Sequence, residues 1–230
     1  MESPLSLVAG GTGLVGSHVI KVLSKKPGTQ IILARSFDSE IPQNAETVII
    51  NFDSLDSIEF RFKNPIDHVY LCLGKRLSTH ELGYMQHSSR ESFKLVDFDY
   101  SLAIAKLANG YGARSIALVS AVGAQEGSFN YYFHIKGKIE NEIRKIGYEK
   151  VCFARPGHLL GARKDFRGYE IPILESGLRF ATPFMQGPFK NFRQIEAKQV
   201  AKSMVMDLLD KKKGESYLYY EDFLKTETFE

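Results

Sequence analysis

The seven residues Gly10-Gly11-Thr12-Gly13-Leu14-Val15-Gly16 constrain this chain more than any other stretch. They follow the apolar run Leu5 to Ala9 and open an amphipathic segment ending near Lys25, so they read as the turn between a strand and a helix. A helix N-terminus offers unpaired backbone N–H groups and a partial positive charge, and glycine lets a phosphate come close to that backbone. The spacing satisfies both Gly11-x-Gly13-x-x-Gly16 and Gly10-x-x-Gly13-x-x-Gly16, the patterns that make the turn, the pyrophosphate contact and the close helix packing of a dinucleotide site. Thr12, Leu14 and Val15 complete the expected cofactor-binding turn. A triphosphate-binding loop is excluded, because Gly16 is followed by Ser17 and His18 where Lys and then Ser or Thr are needed.

The rest of the chain repeats that alternation. Val15, Val19, Val22 and Leu23 recur at helical spacing, and Pro27-Gly28 ends the segment. Short apolar strands are expected at Ile31 to Ala34, Val48 to Ile50, His68 to Leu73, Ile116 to Val119 and Val151 to Ala154. Between them, Val96, Tyr100, Ala103, Ile104 and Leu107 predict one long crossover helix from Phe93, and Tyr132 to Ile146 another, closed by Gly147. Apolar runs separated by helices indicate parallel strands buried on both faces. The expected class is therefore α/β, a Rossmann-type doubly wound parallel sheet with a small C-terminal substrate lobe, all in one domain over 1–230. The lobe is the irregular segment 162–195, with Phe166, Tyr169, Phe180, Phe184, Phe189 and Phe192 packing onto the sheet or lining a site. Helix returns over Glu196 to Leu209, and Tyr217 to Tyr220 adds an edge strand.

Composition narrows the partners. Thirty basic against 27 acidic residues leave a net charge of +3, scattered except at Lys211-Lys212-Lys213, so neither a nucleic-acid nor a membrane surface is implied. Cys72 and Cys152 each sit in an apolar run, as small buried hydrophobes do, which suggests a reduced, cytoplasmic protein. None of the six histidines pairs with Cys or a carboxylate at ligand spacing, and no metal is expected.

Several residues refine the dinucleotide reading. Arg35 ends the second strand about twenty residues beyond Gly16, where an NAD site carries an acidic group for the ribose hydroxyls. An arginine there suits the 2′-phosphate of NADP(H), although a solvated surface arginine is the plain alternative. Asp53, after the third strand, is placed to accept from the adenine amino group or to cap the following helix; Asp38 is as ambiguous. Tyr132 and Lys136 lie one turn apart on a helix, and Ser120 ends the fifth strand at the edge where open α/β sheets bind ligands. An ordinary tyrosine, with a pKa of about 10, relays protons poorly near neutrality, and lowering it by about three units takes roughly 4 kcal/mol in favour of the phenolate. A lysine ammonium one turn away can contribute to that. Tyr132 would then protonate a carbonyl oxygen that Ser120 holds. Leu73 and Gly74 line the carboxyl edge of strand four, in a loop to Tyr84 that could close over the cofactor. Pro156, Gly157 and His158 follow strand six, where the nicotinamide amide would meet backbone groups; His158 is equally readable as a loop histidine without a role.

These residues, with Leu71-Cys72-Leu73-Gly74, Val96-Asp97-Phe98-Asp99-Tyr100, Leu118-Val119-Ser120, Tyr132 to Gly137 and Arg155-Pro156-Gly157, resemble the short-chain dehydrogenase/reductase superfamily, most closely its atypical branch around the Tat-interacting oxidoreductase and bacterial relatives. The resemblance reaches to about residue 161. It implies a Rossmann fold, NADP(H) and the Ser120, Tyr132, Lys136 triad, without naming a substrate. Two departures stand out. Asn-Asn-Ala-Gly after the fourth strand is replaced by Leu71-Cys72-Leu73-Gly74, and Asp97 stands where many relatives carry asparagine in the fourth helix. The expected activity is an NADP(H)-dependent oxidoreductase acting on a carbonyl or alcohol of a small to medium apolar substrate. The alternatives are an NADPH-binding regulatory or assembly protein with little turnover, acting through a protein partner, and a sugar-nucleotide epimerase. Homodimer formation is compatible with each.

Overall fold

The computed structural model describes residues 3–36, 41–57, 65–160 and 185–225. Its centre is a seven-stranded sheet: β1 (Leu5–Ala9), β2 (Thr29–Ala34), β3 (Ala45–Ile49), β4 (His68–Leu71), β5 (Ser115–Val119), β6 (Lys150–Ala154) and β9 (Gly214–Leu218). The spatial order is β3-β2-β1-β4-β5-β6-β9, with every neighbouring pair parallel. The five inner strands β2, β1, β4, β5 and β6 are buried on both faces, and period-two alternation divides their side chains between two cores. Leu7, Ile31, Val69, Ile116 and Phe153 enter one; Val8, Ile32, Tyr70, Ala117 and Cys152 enter the other.

Helices α1 (Leu14–Leu23) and α6 (Ala197–Leu209) cover the second core with Val15, Val19, Val200 and Met204. The first core is covered by α3 (His87–Lys94), α4 (Ser101–Gly110) and α5 (Tyr131–Ile146). α5 starts at an Asn130 cap, whose side chain accepts from the backbone N–H of Tyr132 at 2.9 Å, and ends at Gly147 with φ +93°. Two further helices are short, α2 (Thr79–Gly83) and α7 (Tyr220–Lys225). Chain order reverses between β1 and β4, which opens a crevice at their carboxyl ends.

The long helix expected from Phe93 is different in kind. It starts at His87 and is interrupted by a π-helical turn, Leu95–Tyr100, between α3 and α4. The wider turn re-phases the helix. The buried side chains are therefore Phe93, Asp97, Phe98, Ser101 and Ile104, and the expected Val96 and Tyr100 are displaced from that row. The loop expected from Gly74 to Tyr84 contains α2, started by a reciprocal Ser78–Glu81 capping box. Edge strand β9 forms slightly earlier than expected, beside β6. Of the 162–195 lobe, residues 162–184 lie outside the described residues, and with them Phe166, Tyr169, Phe180 and Phe184. The described remainder has a 3-10 turn, Gly187–Phe192, with Phe189 and Phe192 exposed, and β8 (Ile195–Glu196) paired with β7 (Leu159–Leu160).

Candidate functional site

The glycine turn is shaped by contacts within the chain. Gly10 has φ +84°, and a Cβ there would meet the Cys72 carbonyl oxygen at 2.5 Å. A Cβ on Gly16 would overlap the Gly10 carbonyl, and one on Gly11 would press on Ile20 and Ile32. These glycines let helix and strand touch. Gly13 is less crowded: a Cβ there would meet the Gly10 carbonyl oxygen at 3.1 Å. Gly13 is the N-cap of α1, and the helix has neither a side-chain cap nor an acidic residue in its first turn. This terminus follows β1 at the carboxyl edge of the sheet, with Thr12 exposed, Leu14 half-buried and Val15 buried. Such an uncapped terminus fits a pyrophosphate.

At the far end of β2, Arg35 is exposed, and Asp53 binds the Tyr100 hydroxyl. That bond to Asp53 pushes the Tyr100 phenol up, and nearby Arg35 opposes it. Asp53 thus bonds to the π turn and lies inside the 3-10 turn Phe52–Ser57, with its own N–H donating to Asn51 Oδ1 at 3.0 Å, and not at a cap position; Asp38 lies outside the described residues. Leu73 is half-buried, and Gly74 lies against Asp97, whose Oδ1 would be 3.6 Å from a Cβ at that position. Past β6, the Pro156 carbonyl accepts from Val122 N–H at 3.0 Å and the His158 carbonyl from Ile195 N–H at 2.9 Å. Gly157 has no room for a Cβ beside Phe192 and Arg193. The Pro156-Gly157-His158 segment is thus seated between two loops at the carboxyl edge of the sheet.

Tyr132 and Lys136 come together as their spacing requires. Lys136 Nζ is 6.0 Å from the Tyr132 ring centroid, and Phe93 and Phe133 pack on that ring at 5.5 and 5.3 Å. The ammonium also forms an ion pair with Asp97 Oδ1 at 2.8 Å and donates to the Val119 carbonyl at 3.2 Å. Asp97 Oδ2 accepts from Lys75 N–H at 2.7 Å. Burial alone would lower the Lys136 ammonium, yet Asp97 and Tyr132 hold it above its ordinary value. Burial pushes the Tyr132 phenol up; Lys136 opposes that and Asp97 adds to it.

Ser120 stands elsewhere in the network. It is buried, and its Oγ donates to Glu140 Oε1 at 2.5 Å. Glu140 is paired with Arg155, whose Nε is 2.9 Å from Oε1 and whose second arm binds Oε2. A cleft of about 350 Å³ opens beside this pair, lined by Gly137, Glu140, Asn141, Arg144 and Arg155. Sequence reasoning missed Glu140, though it lies four residues past Lys136 and between Ile139 and Ile143 on the buried face. Asp97 was visible only as a substitution, because its pairing depends on the π turn.

Residues 6–170 match the model of a family described as NAD dependent epimerase/dehydratase. A relative in Candida albicans named "Protein FMP52, mitochondrial" is 29% identical over 198 residues, covering 86% of this chain and 84% of that protein. "Protein HTATIP2" of Rattus norvegicus is 26% identical over 172 residues, 73% of this chain and 67% of its own. Among solved structures, a UDP-Glc/GlcNAc 4-epimerase from Campylobacter jejuni superposes with a TM-score of 0.71 at 10% identity, covering 96% of this chain and 82% of that one. At that identity the likeness concerns the fold. The cytoplasmic expectation is corrected by the relative in Candida albicans, which is named mitochondrial. The physical reason is that reduced, buried cysteines report a reducing compartment and do not distinguish one such compartment from another. Among the described residues, no helix is long and apolar enough to cross a membrane, and no cluster of metal-ligating side chains occurs.

Proposed function

The chain belongs to the NAD dependent epimerase/dehydratase family, and from that premise we propose that it is an NADP(H)-dependent oxidoreductase acting on the carbonyl or alcohol of a small to medium apolar substrate. One observation carries the reading: Tyr132 and Lys136 share one face of α5, with the ammonium 6.0 Å from the ring, at the same sheet edge as the uncapped α1 terminus. When bound, the dinucleotide supplies or accepts hydride. The glycine turn from Gly10 to Gly16 would hold its pyrophosphate, with Arg35 toward the 2′-phosphate and Leu73, Gly74, Pro156, Gly157 and His158 toward the nicotinamide half. Tyr132 would exchange the proton at the substrate oxygen, and Lys136 would serve ribose and phenol together. Ser120 can hold that oxygen only by turning its hydroxyl away from Glu140.

The test is NADPH oxidation across a panel of aldehydes, ketones and quinones, with wild type and Tyr132→Phe. Loss of a general acid commonly costs about a hundredfold to ten-thousandfold in rate, so the variant is expected to fall by that much while its NADPH affinity stays within about twofold. Undiminished turnover in Tyr132→Phe sinks the mechanism.

A second reading, an NADPH-binding regulatory protein with little turnover, draws on a specific observation. Lys136 is already neutralised by Asp97, and Ser120 is already bonded to Glu140. On this reading the panel gives no wild-type turnover although NADPH binds.

A further inference from the structure

We propose that Asp97 confines the charge of Lys136 in a buried ion pair and so biases Tyr132 toward donating a proton, which sets the site to favour carbonyl reduction over alcohol oxidation. The inference rests on the reading of Tyr132 as the proton-transferring group, and it assigns Asp97 a positioning role that the sequence pattern does not supply. The geometry is specific. The Lys136 and Asp97 side chains are only 6% and 2% exposed, and they meet at 2.8 Å. The carboxylate cannot swing away without losing the Lys75 backbone N–H on its other oxygen. The π turn is what delivers it, by bringing Asp97 into the buried row.

Tyr132 therefore faces an ion pair instead of a lone cation. The surrounding charges agree. α5 contributes Lys136 and Glu140, the π turn contributes Asp97, and Arg155 beyond β6 neutralises Glu140. α3 presents Phe93 to the ring, without charge. Opposite charges held together leave a weak net field at the phenol, whereas an isolated ammonium would favour the phenolate. Burial, which disfavours phenolate, then prevails.

The chemical consequence is directional. In reduction, the Tyr132 O–H bond would break and its proton would bond to the carbonyl oxygen, while hydride supplied by a bound reduced nicotinamide dinucleotide would bond to the carbonyl carbon and leave the dinucleotide oxidised. The phenolate left behind recovers a proton from water. Alcohol oxidation needs the phenolate at the outset, and a neutral phenol is a poor base.

The experiment is a pH titration of protein carrying tyrosine labelled with carbon-13 at Cζ, read by NMR without cofactor or substrate, with Tyr132→Phe assigning the resonance. In wild type, Tyr132 is expected to stay protonated beyond the ordinary tyrosine value of about 10. In Asp97→Asn its midpoint is expected to fall by at least about one unit, the scale of a released neighbouring charge, and Asp97→Glu should restore wild-type behaviour. Circular dichroism checks that each variant folds. Equal midpoints in wild type and folded Asp97→Asn overturn the proposal. If Asp97→Asn does not fold, wild type alone decides: a Tyr132 midpoint at or below the ordinary value of about 10 overturns the proposal, and one above it supports the proposal. Since no turnover is involved, a failure of the oxidoreductase reading appears separately, as NADPH that is bound and never oxidised.

Discussion

Helix α5 carries two buried charges one turn apart, Lys136 and Glu140, and each is neutralised from another element. The two pairs look alike in sequence but differ in saturation. Glu140 accepts from Ser120 and from two arms of Arg155, and Arg144 Nη2 lies 3.6 Å from its Oε2. Lys136 has three protons, and among the described residues it meets two acceptors, Asp97 and the Val119 carbonyl. A saturated buried pair fixes elements in place; an unsaturated one beside a phenol retains a donor for chemistry. α5 thus carries a saturated pair at Glu140 and, one turn earlier, a pair at Lys136 with a donor left over beside the Tyr132 ring.

The largest effect should come from breaking the saturated pair. Arg155→Met strands a carboxylate that is 1% exposed, and removing one partner of a buried pair costs about 3–5 kcal/mol. Urea unfolding measures it, and a loss below about 1 kcal/mol would mean that Arg144 takes over and the saturation argument fails. The contrast sharpens with Asp97→Asn combined with Lys136→Met, which removes both charges of the other pair. Replacing a whole buried pair is often close to neutral for stability, so this double variant should stay within about 2 kcal/mol of wild type while losing turnover. A loss as large as that of Arg155→Met would make both pairs equally structural.

A smaller effect tests whether the adenine end is independent of both pairs. Arg35→Ala should lower the preference for NADPH over NADH by about tenfold, the worth of one charge-assisted bond, without moving the urea midpoint. Equal affinity for the two cofactors in wild type would remove Arg35 from the site.

The smallest effect is alkaline. Lys136 and Tyr132 both have pKa values raised in the folded chain. Above about pH 10 the unfolded chain loses these protons first, so the folded state holds more protons and stability falls as pH rises. Their contribution is intact below that pH. Lys136→Met should therefore lose stability less steeply than wild type between about pH 10 and 11; an identical slope would show that the unsaturated pair contributes nothing to it.

Much of this was legible in the chain. The alternation of apolar strands and amphipathic helices, the glycine turn and the Tyr132–Lys136 spacing are local patterns, and each formed where local rules placed it. The reading failed where one residue changed the phase of a helix. Within Leu95–Tyr100 a 3.6-residue stripe selects Val96 and Tyr100, whereas the π turn buries Asp97 and Phe98. Ser120 was legible as a residue at the right strand end, but the partner of its hydroxyl was not, because Glu140 lies twenty positions away on another element.

The sequence by itself determined the doubly wound sheet, the glycines at the head of α1 and the pairing of a tyrosine with a lysine, since periodicity and steric need act over a few residues. Only the tertiary structure decided which charges meet. Asp97 reaches Lys136 from 39 positions away and Arg155 reaches Glu140 from 15, and both contacts depend on how helices dock on the sheet. Burial then gives those contacts their weight, because a charge deprived of water must find its counter-charge wherever packing delivers one.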